Sequence, residues 1–155
     1  MSIDKVKATI QNNLYLTIAT VDMSGNYPLA TPVFFANNDT YTNFYWVSAY
    51  NSHHSNNIMQ NPNVSIVIFD SSVNHGDGFG VYMSGSVGML SNHDQIKIAD
   101  DLMKIKLNIN DDRTSNYYCE PNPRRIYQFT PNKVWINMRI LNKDQWVDER
   151  ILINL

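Results

Sequence analysis

The stretch SAYNSHH, residues 48–54, holds the residue types in this sequence that are best suited to binding an anion. The hydroxyls of Ser48 and Ser52 stand four residues apart, and two histidines follow directly. Ser52 is also placed to cap a helix, because residues 53–60 carry a short apolar face that an Asn-Pro pair ends. The first turn of a helix gathers unpartnered amide hydrogens and a partial positive charge, which suits phosphate. The spacing predicts a phosphate-sized site, and it leaves open an ordinary capped helix with surface histidines.

Short β-strands are predicted on both sides of this helix and must position it. Runs rich in β-branched and aromatic residues, bounded by turn residues, predict strands at 14–22, 27–37, 41–49, 64–70 and 80–90. Three closing strands are predicted at 124–131, 132–141 and 144–155. Two further helices are predicted, one near residues 3–12 with a cap at Ser2 and a longer one from a cap at Ser91 through Lys106.

Prolines and glycines mark special places in the predicted strands. Pro28 and Pro32 indicate a free edge or an irregularity in the second strand, since proline donates no amide hydrogen bond. Gly85 and Gly88 indicate a bulge or sharp bend in the fifth. The fourth strand is almost continuously apolar, which predicts cover on both of its faces.

The order of these elements predicts the fold class. The connections are mostly tight turns, too short for the crossovers of a parallel sheet. We therefore expect a mainly β protein, an antiparallel barrel of six to eight strands with short flanking α-helices. At 155 residues the chain is expected to form a single domain over residues 1–155.

The composition narrows the classes of function. Net charge is −2, and no basic stripe interleaves with aromatics, so we expect no nucleic-acid partner. No apolar run approaches the length of a membrane span, and the amino terminus carries charges where a secretion signal needs an apolar segment, so no membrane is expected. The single cysteine, Cys119, excludes an internal disulfide and fits a reducing cytoplasm.

Other chemistries find weaker support in the sequence. The histidines at positions 53, 54, 75 and 93 show no metal-binding pattern such as H-E-x-x-H, so no metal is expected. A G-x-S-x-G nucleophile elbow is missing, which argues against a serine hydrolase. The glycines of GDGFG, residues 76–80, lack the following Lys-Ser/Thr of a phosphate loop and predict a turn.

The order of several segments resembles the FMN-binding split barrels of the pyridoxamine 5′-phosphate oxidase-like family. The segments are TPVFFANND, YTNFYWVSA, the S-x-x-x-S-H-H-x-x-N-I helix entrance, QNPNVSI, GVYMSGSVGML, IYQFTPNKVWIN and WVDERILI. The resemblance covers roughly residues 5–155. It implies a split barrel, a homodimer, and one FMN site per chain at each side of the dimer interface.

The resemblance also implies site residues. The helix entrance in that family usually reads like Thr-x-x-x-Ser-Arg-Lys and holds the flavin phosphate. Ser48 and Ser52 match the threonine and serine of this motif. His53 and His54 occupy the positions of its arginine and lysine. Backbone of Val33 and Phe34 would border the isoalloxazine ring, and Trp135 would form a wall of the site in the partner subunit. The implied cofactor-binding set is Val33, Phe34, Ser48, Ala49, Tyr50, Ser52, His53, His54 and Trp135; catalytic residues are left unknown.

The function implied by the resemblance is an FMN-dependent oxidoreductase acting on an unknown small molecule. True vitamin B6 oxidases carry basic carboxy-terminal residues, and Arg139 and Arg150 do not reproduce that pattern. With histidines in place of Arg and Lys, flavin binding is expected to weaken as pH rises. A non-catalytic flavin- or ligand-binding stress or sensor module and a cofactor-free dimeric scaffold are the alternatives.

Overall fold

A computed structural model describes residues 3–22, 24, 26–74 and 76–155. The strands are β1 Tyr15–Asp22, β2 Tyr27–Phe34, β3 Ala36–Asn37, β4 Phe44–Ala49, β5 Asn63–Phe69, β6 Gly80–Met89, β7 Arg124–Asn142 and β8 Gln145–Ile153. The α-helices are α1 Ile3–Asn12, α2 His53–Gln60 and α3 His93–Leu107, and a 3₁₀ turn covers Ser115–Tyr118. The predicted cap Ser2, and Met23 and Gly25 of the first hairpin turn, lie outside the described residues.

The strands form one antiparallel sheet in the order β2-β1-β5-β6-β7-β4-β3, with β8 paired to β7. The sheet curls around a core of buried side chains that includes Leu16, Trp46, Ile66 and Phe129. A second apolar cluster, with Ile96, Met103 and Ile126, packs α3 on the outer face of β4 and β7. The predicted mainly β, antiparallel split barrel with short helices is confirmed.

A gap between β2 and β4 keeps the barrel from closing. β2 and β3 are the two ends of the sheet, although only Phe35 separates them along the chain. Phe35 is fully buried against Phe44, with ring centroids 6.1 Å apart, and this inward turn interrupts the strand predicted to run from 27 to 37. β3 then pairs with only Phe44 and Tyr45, so the rest of β4 has no strand on that side.

The prolines lie on a free edge, as predicted. Phe35 donates its amide to the carbonyl of Leu14 at 3.1 Å, which fixes the alternation of hydrogen-bonded pairs between β2 and β1. Pro28 and Pro32 fall at the positions whose backbone groups face away from β1. Phe34 is two residues beyond Pro32 and so has the same orientation, with its amide and carbonyl facing away from β1 and toward the gap.

Four local predictions differ from the structure. The two strands expected at 124–131 and 132–141 are the single strand β7, which bends where its register against β6 shifts. β4 begins at Phe44 rather than at residue 41. β5 alternates buried and exposed residues, so only one face is covered within the chain. Asn92 caps α3 instead of Ser91, because its side chain accepts the amides of Asp94 and Gln95.

The pairing register between β6 and β7 shifts at Gly85. A Cβ at this position would lie 2.2 Å from the carbonyl oxygen of Thr130 and 2.8 Å from the Cα of Pro131. A backbone approach this close admits only glycine. Of the two predicted glycines, Gly85 is thus the one at the irregularity, and the unpaired extra residue is Asn132 of β7.

We expect Gly85→Ala to destabilise the protein by about 1–3 kcal/mol, because β6 and β7 must move apart to admit the methyl group. Gly88→Ala is the matched control, since a Cβ there meets nothing within 4 Å. Urea unfolding of both variants measures the difference. Equal stability of the two variants would show that the close approach is not required.

Candidate functional site

α2 begins directly beyond the end of β4 and lies across the end of the barrel. Ser52 caps the helix, and its side chain accepts the amide of Ser55 at 3.4 Å. Further along, the buried Asn57 donates to the Thr20 hydroxyl of β1 at 3.1 Å. The helix is thus held to β1 through Asn57, and its capped first turn follows directly on β4.

Ser48, Ser52 and His54 form a hydrogen-bonded cluster at this first turn. His54 Nε2 lies 2.8 Å from Ser48 Oγ and 3.2 Å from Ser52 Oγ. Ser52 donates its hydroxyl hydrogen to Ser55 Oγ at 2.8 Å. In the tautomer that carries its hydrogen on Nε2, His54 donates toward both hydroxyls, and the Ser48 hydroxyl hydrogen is free to donate elsewhere.

Burial decides the charge of His54. Its half-buried imidazole has a pKa lowered below the ordinary 6.5, first by desolvation and then by repulsion from His53. The unliganded protein therefore holds His54 neutral at pH 7. A bound anion beside the ring would act in the opposite direction and favour the imidazolium.

Other predicted residues at the helix entrance do not join this cluster. His53 is 65% exposed, and its Nε2 lies 3.9 Å from the carboxylate of Asp22. The Ala49 carbonyl already accepts the amide of Ser52 at 3.1 Å. Tyr50 is partly exposed, and its ring lies 5.5 Å from the Arg125 guanidinium carbon. Of the two histidines, His54 is the one that contacts the predicted hydroxyls.

Val33 and Phe34 differ in the availability of their backbone groups. By the alternation of β2, the amide and carbonyl of Val33 face β1, whereas those of Phe34 face the gap. The Val33 side chain is buried in the barrel core. Phe34 therefore offers backbone hydrogen bonds to a ligand in the gap, and Val33 does not.

A cavity of about 410 Å³ opens beside Phe34, between β4 and α3. Its walls include Tyr15, Phe34, Val47, Met103 and Tyr117. Three cations also line it: Lys104 bonds Asp100 at 2.8 Å and Asp111 at 3.1 Å, Arg113 bonds Asp111 at 2.7 Å, and Arg124 is exposed at the edge. The apolar walls suit a flat ring.

Trp135 lies far from the cluster within one chain. It pairs with Tyr82 of β6 and Leu152 of β8 on the outer face of the sheet. Trp135 lies ten positions along β7 from Arg125, which is the cross-strand neighbour of Ser48. Ten positions of extended strand correspond to about 33 Å. The structure does not bring Trp135 to the site, and a contribution from a second chain remains a prediction.

Arg125 is a residue at the site that the sequence analysis missed. It pairs across the sheet with Ser48, so both side chains leave the same face. It is only 8% exposed. The available signal was the Arg-Arg pair opening the strand at residue 124, but the sequence did not show that this end of β7 lies beside the helix entrance.

The sequence profile described as pyridoxamine 5′-phosphate oxidase matches residues 2–137. The chain belongs to this family. The match spans the gap in the sheet, the α2 entrance and Arg125. No curated protein matches the chain.

Solved structures share the fold at low sequence identity. A candidate 5-nitroimidazole antibiotic resistance protein of Bacteroides thetaiotaomicron has a TM-score of 0.70 and 13% identity, over 87% of this chain and 82% of its own. The heme storage protein of Vibrio cholerae has a TM-score of 0.62 and 15% identity, over 85% and 92%. An F420 reductase has a TM-score of 0.61 and 16% identity, over 83% and 94%. These neighbours are named for different ligands, so they define the fold alone.

Two further findings concern the described part of the chain. None of its helices has the length and apolar character that crossing a bilayer requires. Its His, Cys, Asp and Glu side chains form no group of three or more that could hold a metal ion, and His75 lies outside it.

We expect the ring protons of His54 to titrate below pH 6.5 in an NMR titration of the unliganded protein, because burial disfavours the charged ring. As pH falls through this range the unfolded chain takes up the proton first, so His54 lowers stability on the acid side. His53→Gln should move the His54 pKa upward by removing a like charge. A His54 midpoint at or above 6.5 would contradict the buried, neutral ring.

Proposed function

We propose that this protein is an FMN-binding flavoprotein, an oxidoreductase of the pyridoxamine 5′-phosphate oxidase family that acts on a small molecule. The observation that carries the proposal is the cluster of Ser48, Ser52 and His54 at the first turn of α2. Membership of the family supports a nucleotide-sized cofactor. The named ligands of the structural neighbours are not transferred to this chain.

The residues at the α2 entrance fit a phosphate group. When His54 carries its hydrogen on Nε2, the donors that the cluster leaves unused are the Ser48 hydroxyl and the remaining amides of the first helical turn. No carboxylate of the described residues hydrogen-bonds to the three side chains of the cluster. An anion entering here meets donors and a partial positive charge, at a helix end fixed to both β1 and β4.

The gap between β2 and β4 fits the remainder of the cofactor. Phe34 supplies the free backbone amide and carbonyl on the β2 side of the gap, and α2 follows directly on β4. When bound, FMN supplies hydride acceptance and donation at its ring. The chain's part is to hold the phosphate, orient the ring and exclude water. We propose that a homodimer completes the site and that Trp135 of a second chain covers the ring.

Spectroscopy of the purified protein tests this function. Yellow protein, or colourless protein that takes up added FMN, supports a flavoprotein. Bleaching of the flavin band by NADH or NADPH, followed by reoxidation in air, supports an oxidoreductase; bound flavin that neither nucleotide reduces favours the non-catalytic module. Protein that binds no FMN at any concentration tested would leave only the cofactor-free scaffold.

We expect FMN affinity to fall as pH rises through the histidine range. The bound phosphate raises the pKa of His54 above its lowered value in the free protein, so affinity drops by at most about tenfold per pH unit between the two values. His54→Gln should flatten this dependence relative to the wild type, whereas His53→Gln should retain it. FMN fluorescence quenching measures the affinity.

Comparing the variants also separates the effect of His54 protonation on affinity from the effect of the second ionisation of the FMN phosphate. The phosphate becomes more fully dianionic above about pH 6, which strengthens binding in every variant alike. The difference between wild type and His54→Gln therefore reports the imidazole. Parallel pH profiles for these two proteins would exclude His54 from the phosphate site.

A further inference from the structure

We propose that Arg125 supplies the permanent positive charge of an anion site at the α2 entrance, where the chain itself carries histidines at positions 53 and 54. The identity of the ligand, the FMN phosphate, rests on the proposed function. The anion site itself rests on the surroundings of Arg125.

Arg125 is a buried charge with little to balance it. The one carboxylate paired with it is that of Glu120, whose oxygen is 3.9 Å from Nη2 and whose side chain is 92% exposed. At this distance and exposure the pair is weak, because water screens it. Buried charges are normally paired closely, so this guanidinium has capacity for a further anion.

The hydrogen bonds of Arg125 fix its position and leave donors unused. Nη1 donates to the carbonyls of Asn122 and Arg124, the latter at 2.8 Å. Within the described part of the chain, Nε and Nη2 make no hydrogen bond. One edge of the guanidinium is therefore held by backbone, and the other is available for the two-point contact that arginine makes with phosphate.

The position of Arg125 relates it to the predicted site. It is the direct cross-strand neighbour of Ser48, and its guanidinium lies beside the ring of Tyr50 just before α2. Its charge also acts on the buried Tyr127, where burial raises the pKa while the Ser55 hydroxyl and Arg125 oppose that rise. Ser48, Arg125 and Tyr127 leave the same face of the sheet, and we refer to these three residues as the polar layer.

Tyr127 gives a second observation of unused donors in this layer. Its hydroxyl is fully buried and has no hydrogen bond of normal geometry among the described residues. A buried hydroxyl without a partner costs free energy. The Tyr127 hydroxyl therefore adds a poorly satisfied buried donor to the unused Nε and Nη2 of Arg125.

The test compares FMN with riboflavin, which lacks the phosphate, at a pH where His54 is neutral. Arg125→Gln should lower FMN affinity by roughly 10- to 150-fold, the range for losing a charge-assisted hydrogen bond, and leave riboflavin affinity unchanged. Arg139→Gln is the matched control, since Arg139 lies on the same strand but pairs with Asp148 of β8, far from Ser48 and from the cavity beside Phe34. It should keep the preference for FMN.

Arg125→Lys and Glu120→Gln sharpen the comparison. Lysine keeps the positive charge but cannot donate two parallel hydrogen bonds as the guanidinium does, so an intermediate FMN affinity is expected. Removing the competing carboxylate of Glu120 should strengthen FMN binding slightly. Unchanged discrimination between FMN and riboflavin in folded Arg125→Gln would overturn the assignment while leaving the flavoprotein proposal intact.

A measurement without flavin separates the two proposals. Inorganic phosphate should raise the melting temperature of the wild-type protein relative to chloride at equal ionic strength, and the rise should be smaller in Arg125→Lys and absent in a folded Arg125→Gln. If the wild type binds no flavin but shows this effect, the anion site stands and FMN is wrong. If phosphate has no effect on the wild type and FMN binds no better than riboflavin, the anion site is wrong.

Discussion

The hydrogen bond between His54 Nε2 and Ser48 Oγ joins the first turn of α2 to the last residues of β4, and the candidate site depends on it. β4 has a strand on its open side only at Phe44 and Tyr45, so backbone bonds to β7 and Pro123 hold the approach to the helix from the other side. Side chains add to them, since His54 contacts Ser48 near the start of α2 and Asn57 donates to Thr20 further along. The same groups that position the helix start are the donors proposed to meet a phosphate.

This double role is compatible with a histidine at position 54. A permanent cation at position 54 would be half buried beside two hydroxyls, without a carboxylate to balance it. A histidine avoids that cost in the free protein, because its lowered pKa keeps it neutral. We propose that it becomes charged when an anion binds beside it. Arg125, held by backbone carbonyls on the adjacent strand, can carry charge continuously because its position does not depend on the ligand.

The sequence was informative where periodicity and turn residues carry the physical signal. It predicted the antiparallel fold, the edge position of β2 from Pro28 and Pro32, and the cap of α2 at Ser52. It failed where long-range packing decides. The break at Phe35 follows from burial against Phe44, and the continuity of β7 past Pro131 follows from pairing with β6 on one side. Arg125 was missed for the same reason, since its neighbours become visible only once β4 and β7 pair.

A crystal structure of the protein with saturating FMN would show whether the α2 entrance and the adjoining end of β7 hold the flavin phosphate. We predict phosphate density within hydrogen-bonding distance of the Ser48 hydroxyl, His54 and Arg125, with the flavin ring in the gap beside the backbone of Phe34. Phosphate density elsewhere, or an intact cluster of Ser48, Ser52 and His54 with no ligand beside it, would contradict this placement.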